Sequence, residues 1–188
     1  MAALPPQAEA RQLNDGYVTL SQLFQGGVTR PEARQRVASR STSTTRRIVA
    51  YRTNKKPGSI VIDTSERALY YVMPGGKAMR YAVGVGREGF QWSGVHRVSR
   101  KAEWPRWTPP PEMRKRQPGL PVTMAGGPGN PLGARAIYIG STLYRIHGTN
   151  DPRSIGRAMS SGCIRLMNND VIDLYDRVRV GARVYVYH

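Results

Sequence analysis

One cysteine, two phenylalanines and twelve acidic residues are the scarcities of this 188-residue chain. Cys163 has no second cysteine to pair with, so a disulfide-stapled scaffold is excluded and cysteine usage leaves the redox compartment open. No run of about 18 apolar residues occurs, which excludes a membrane-spanning helix in these residues. Met1-Ala-Ala-Leu-Pro-Pro-Gln lacks the apolar stretch of a signal peptide. The chain is therefore expected to be cytosolic or to stand apart from an export signal. Against the twelve acids stand 29 Lys and Arg, mostly arginine, for a formal net charge of +17. Such a field attracts nucleic acid, anionic lipid or an anionic cell wall, although a solvated basic surface explains it equally well.

What is plentiful is turn material, with 20 glycines and 14 prolines. Residues 1–46 differ in texture from the rest. Thr29-Arg30-Pro31-Glu32 reads as a capping box opening a short helix through Val37. Ser39 to Thr45 is a Ser/Thr/Arg stretch that reads as a linker or surface tail. We assign 1–46 as an N-terminal extension and 47–188 as one β-rich domain. β-branched and aromatic runs at 48–51, 59–62, 68–72, 79–85, 136–139 and 143–146, broken by Gly/Pro turns, predict strands. Their short spacing favours antiparallel hairpins. Val95 and Val98 are candidates for one more strand. Trp104 to Pro111 is too proline-rich for a central strand. Its two tryptophans beside basic residues suit either a substrate-facing lid or packing that anchors an irregular loop. Val171, Leu174, Tyr175 and Val178 share one helical face, with Asn168 or Asn169 as the cap and Gly181 as the stop. Residues 183–187 alternate as a closing strand.

The residues with chemistry are His147 and Cys163. His147-Gly148-Thr149 follows a predicted strand, and Cys163 lies in Ser160-Ser161-Gly162-Cys163-Ile164-Arg165-Leu166. A thiol is mostly protonated at neutral pH, so it needs a base. An adjacent imidazole that takes the proton leaves a thiolate–imidazolium pair. The other ring nitrogen needs an acceptor, for which the Gly148 carbonyl or a nearby side chain is available. Gly162 lets the backbone approach a carbonyl, and the N–H groups of Ser161, Gly162 and Cys163 are candidate oxyanion donors. Arg165 is placed to bind a carboxylate through its fork, or to pair with Asp170 or Asp173 on the following helix.

These segments, with Asn168 and Asp170 after them, resemble the signature of the YkuD-type L,D-transpeptidase catalytic domain. Pro131-Leu132-Gly133-Ala134-Arg135-Ala136 with Tyr138, and Gly181 with Val184 and Val186, resemble further family segments. The resemblance covers about 47–188. Many members carry histidine where this chain has Ser161, which removes a second imidazole without implying loss of activity. The resemblance implies a mainly β (β-rich α+β) fold, a curved mixed sheet or sandwich with a short helix packed near the cysteine. It also implies a two-step acyl transfer on peptidoglycan without metal or cofactor. Cys163 attacks the third residue of a stem tetrapeptide and expels D-alanine. An amine then resolves the thioester to a 3–3 cross-link, with His147 as base and acid. Substrate contacts are expected at Arg165, Ser160, Tyr138 and Trp107. The substrate implies export to the periplasm or cell envelope, and many members are acylated by carbapenems. Water as acceptor would give an L,D-carboxypeptidase, and a protein amine would give attachment of envelope proteins to the wall. A reading of another class is a non-catalytic basic module that binds the cell wall or nucleic acid by charge. No recognised nucleic-acid motif is present, so wall binding is the expected partner.

Overall fold

The computed structural model describes residues 44–188. The predicted helix at 29–37 and most of the expected extension lie outside the described residues. Eleven strands and two helices follow in chain order. The strands are β1 Arg47–Ala50, β2 Ile60–Asp63, β3 Ala68–Met73, β4 Lys77–Ala82, β5 Val85–Gly86 and β6 Gly94–Glu103. Then come α1 Pro111–Arg116, β7 Arg135–Ile139, β8 Arg145–His147, β9 Ala158–Ser160 and β10 Ile164–Arg165. The chain closes with α2 Asn168–Arg177 and β11 Arg183–Tyr187. No helix among the described residues is long and apolar enough to cross a membrane.

Nine strands form one sheet in the order β1-β4-β3-β2-β11-β6-β7-β8-β10, and β5 pairs separately with β9. The expectation of hairpins holds for β3–β4 and β7–β8, which are antiparallel. The sheet is nevertheless mixed, as the family resemblance implies, with parallel pairing at three places. β11 runs parallel to β2, β10 parallel to β8 and β9 parallel to β5. The reason is topological. The C-terminal strand returns to an early one through α2, and the cysteine segment returns to β8 through a long loop rather than a tight turn.

β6 shows in the sequence only through Val95 and Val98, and β9 and β10 show not at all. The first half of β6 pairs with β11 and its second half with β7, with a register shift between Val98 and Arg100. A bulge of this kind bends the strand and increases the local twist, so the sheet curls there. One face of the curled sheet holds the main core: Ile60, Ile62, Leu69, Ile137, Ile139, Val184 and Val186, closed by Val171, Leu174 and Val178 of α2 and its C-cap. Alternation sends Val61, Val72 and Tyr185 to a smaller cluster on the other face.

Both ends of α2 differ from the expected caps. Met167 occupies the N-cap without a side-chain hydrogen bond, and the helix stops at Val178 rather than Gly181. Thr44 and Thr45, linker by their sequence texture, are bound into the domain. Asp170 is fully buried and accepts from the hydroxyls of Thr44 and Thr45 and from the Thr45 N–H (2.8 Å). The Thr45 hydroxyl in turn accepts from the Ala82 N–H at 2.9 Å. The body of the domain thus begins before residue 47.

Candidate active site

Two short strands build the site. β8 and β10 run parallel with Ile146 opposite Ile164 and His147 opposite Arg165. Both isoleucines are buried in the core. Alternation therefore turns their neighbours to the opposite face, so Arg145, His147, Cys163 and Arg165 share it. The chain is held in this corner by a hydrogen bond from Leu166 N–H to the His147 carbonyl (2.8 Å) and by a reciprocal pair of backbone hydrogen bonds between Gly84 and Arg165 (2.9 and 2.8 Å).

His147 is buried, and its Nδ1 donates to the Gly148 carbonyl at 2.6 Å. A carbonyl only accepts, so this contact places the proton on Nδ1 and leaves the Nε2 lone pair for a substrate-side role. Burial lowers the imidazole pKa to about 3. The Gly148 and Leu132 carbonyls oppose that shift, whereas Arg165 and Arg145 add to it. Burial likewise pushes the Cys163 thiol up, against the lowering influence of the Arg145 backbone and side chain and of Arg165. Cys163 itself is partly exposed. These shifts favour the neutral form of each group over the expected thiolate–imidazolium pair. A half-enclosed corner penalises both charges, so both partners rest neutral.

Asn168 fixes the histidine turn. Its Oδ1 accepts from the N–H groups of Ala134 (3.0 Å) and Thr149 (3.2 Å), and its Nδ2 donates to the Thr149 carbonyl (2.9 Å). The side chain expected to cap α2 instead ties that helix to two loops. Gly133, at φ +64°, and Gly148 leave the room this requires. A Cβ on either would collide with Asn168 Oδ1.

The cysteine loop is braced from both sides. Ser160 is buried, and its Oγ donates to the Cys163 carbonyl (2.6 Å) while accepting the Gly162 N–H (3.1 Å). Gly162, at φ +102°, lies against Tyr144, where a Cβ would collide with the ring. Trp92 stacks on Tyr144 with ring centroids 4.5 Å apart and donates Nε1–H to the Gly162 carbonyl at 2.6 Å.

Several expected roles change. Ser160 is buried, and the two hydrogen bonds of its hydroxyl both lie within the loop. The Gly162 N–H is also spent there, which narrows the candidate oxyanion donors to Ser161 and Cys163. Tyr138 has guanidinium groups over its ring, Arg100 at 3.8 Å and Arg145 at 5.4 Å, so it supports Arg145 instead of offering a free face. Trp107 forms a backbone pair with Met124 (2.9 and 2.7 Å) in a separate loop, and among the described residues no hydrogen bond or ring contact joins it to the cysteine segment. That loop is held from within by buried Asn130, whose Nδ2 donates to the carbonyls of Pro105 (3.1 Å) and Ala125 (2.9 Å). Arg165 pairs with neither Asp170 nor Asp173. Asp173 holds Tyr81 (2.6 Å) and Arg177 (2.9 Å) instead. Sequence reasoning missed Arg145, Tyr144 and Trp92. The strand period at Arg145-Ile146-His147 offered a signal only for Arg145. Among the described residues no group of three or more His, Cys, Asp and Glu side chains gathers as a metal site.

The curled mixed sheet, with one helix packed on it and a cysteine segment parallel to a histidine strand, defines a class that comparison identifies. The model of the YkuD L,D-transpeptidase catalytic domain matches residues 57–186, and the chain belongs to that family. An Escherichia coli protein described as probable L,D-transpeptidase ErfK/SrfK is 44% identical over 136 residues, covering 68% of this chain and 43% of that protein. The chain thus spans less than half the length of that curated relative. A Brucella melitensis structure described as a probable carnitine operon oxidoreductase is 46% identical, with TM-score 0.51, covering 73% of this chain and 89% of its own. L,D-transpeptidase 3 of Mycobacterium tuberculosis, solved with a faropenem-derived adduct, is 18% identical with TM-score 0.54, covering 69% of this chain and 60% of its own. That last likeness speaks for the fold alone.

Proposed function

We propose that this chain is a peptidoglycan L,D-transpeptidase in which Cys163 is the nucleophile and His147 the base. The observation that carries the reading is the shared face of β8 and β10. Its register sets His147, with Nδ1 committed to Gly148, opposite Arg165, and the chain's one thiol lies one residue before β10, which supports the reading. As Cys163 Sγ attacks the carbonyl of the third stem residue, its proton passes to His147 Nε2. The amide C–N bond breaks, and the departing D-alanine amine takes that proton. The side-chain amine of a second stem then gives a proton to His147 and attacks the thioester. The Sγ–C bond breaks and the thiolate is reprotonated, leaving a 3–3 cross-link.

The amides of Ser161 and Cys163 serve as oxyanion donors, each typically worth about 3 kcal/mol in the transition state. Arg145 and Arg165 attract the carboxylates of the stem peptide. The wall substrate requires export to the periplasm or envelope. Acylation of the thiol by a carbapenem follows from the same chemistry. Incubation with purified muropeptides, read by mass spectrometry, tests the acceptor. Cross-linked dimers support the transpeptidase. Tripeptide stems alone mark a carboxypeptidase, and no change in the stems contradicts both.

A further inference from the structure

A second basic feature lies away from Cys163. A cavity of about 820 Å³ opens among the β2–β3 side of the sheet, the start of β11 and the end of α2, with Lys56, Arg97, Arg177, Arg179 and Arg183 in its walls. Among the described residues no Asp or Glu lines it. Arg177 is neutralised by Asp173 in a two-pronged pair at 2.9 Å, and Arg97 donates to the Gly181 carbonyl at 3.0 Å. Lys56, Arg179 and Arg183 form no ion pair among the described residues. Arg97 and Arg183 are moreover direct partners across the β6–β11 ladder. Like charges placed directly opposite each other destabilise a sheet, so the pair is an electrostatic cost unless an anion lies between them.

The cavity is separate from the reaction centre. α2 begins at Asn168, tied to Thr149 beside His147, and ends at Arg177 in the cavity wall. Nine residues of helix rise span about 14 Å.

We propose that this cavity is a second binding site for peptidoglycan, taking the free carboxylates of a stem peptide outside the scissile one. The proposal rests on the wall-acting reading above. Guanidinium forks match carboxylates in two-pronged geometry, and a cavity of this size accommodates a short peptide. Single-stranded nucleic acid fits less well because it needs open aromatic faces to stack on. Tyr185 is only 8% exposed and carries Lys55 over its ring at 4.6 Å, and the Tyr71 hydroxyl is bound to the Arg177 carbonyl.

The test uses the full chain with Cys163→Ala to stop turnover. Sedimentation with purified sacculi compares Arg179→Gln/Arg183→Gln with Arg114→Gln/Lys115→Gln, a pair on α1 with the same loss of charge. The cavity pair is expected to weaken binding about tenfold or more, and the α1 pair less than about twofold. Sacculi stripped of their peptides by an amidase are expected to lose the difference. In the protein that retains Cys163, the cavity pair leaves the rate of carbapenem adduct formation unchanged. Equal sacculus binding by the two double variants overturns the proposal. So does a cavity-specific loss that persists on bare glycan, or one seen only with DNA. Absence of an adduct on the parent protein counts against the transpeptidase reading, while the sedimentation result stands on its own.

Discussion

Cys163 and His147 each sit where burial disfavours their charged form, and this sets how the thiol is activated. A preformed ion pair would hold the thiolate across the acidic and neutral range. Here the thiol is pushed up and the imidazole is lowered to about 3, so both are uncharged near neutrality. On the proposed reading the proton moves as attack occurs, in the manner of general base catalysis. Because a raised thiol pKa lowers the thiolate fraction at every pH below it, alkylation by iodoacetamide should climb about tenfold per pH unit through neutrality, with no plateau below about pH 8. A plateau beginning below about pH 7 would restore the ion pair. At this scale the sequence identifies the His, Cys and Arg165, since their spacing in Gly-bearing turns is explicit in the chain. It is silent on Arg145 and on the true duties of Ser160 and Tyr138. Those depend on which strands become neighbours, and strand adjacency is absent from a linear spacing.

Among the elements, the cysteine turn and α2 show how distant segments hold the corner in place. Trp92 and Tyr144 lie far apart in the chain, yet together they fix Gly162 from its two sides. Trp92→Phe keeps an aromatic ring on Tyr144 but removes the Nε1 donor. It should slow acylation of Cys163 by about tenfold, the equivalent of one hydrogen bond of roughly 1.4 kcal/mol, and lower Tm by no more than about 3–6 °C. An unchanged acylation rate measured by stopped-flow would remove Trp92 from the positioning of the loop.

α2 carries a second anchor in Asp170. Asp170→Ala removes a fully buried acceptor from the part-buried donors of Thr44 and Thr45, costing about 1–3 kcal/mol. Calorimetry should show a fall of about 4–10 °C in Tm, whereas Asp176→Ala on the exposed side of the helix should change stability by under about 0.5 kcal/mol. Equal effects would dismiss the anchor. The helix itself is legible from its apolar period, and the strands at 60–63, 68–73 and 183–187 from their β-branched runs. β6 is not, because a ten-residue strand that changes partner at a bulge and carries His96, Arg97, Arg100 and Lys101 shows no clean alternation. The local sequence permits Asn168 as a cap. The close approach allowed by Gly133 and Gly148 draws it into a tertiary role instead.

Across the molecule, the +17 charge and the curled sheet divide the work. The sheet puts Cys163 in a braced corner at one end of α2 and, at the other, a basic cavity lined by no carboxylate among the described residues. Family and general architecture are legible in the residue order alone, because the motif around Cys163 joins five residue types at fixed spacing. Which strands pair in parallel and the inclusion of Thr44 and Thr45 in the domain are not, since both arise from long-range closure of the chain. The account as a whole stands on Cys163 as the acyl acceptor. Intact mass spectrometry after exposure to a carbapenem tests this most directly. The account predicts a single one-drug adduct on the parent protein and none on Cys163→Ala. An adduct of equal yield on Cys163→Ala, or none on the folded parent, would contradict it.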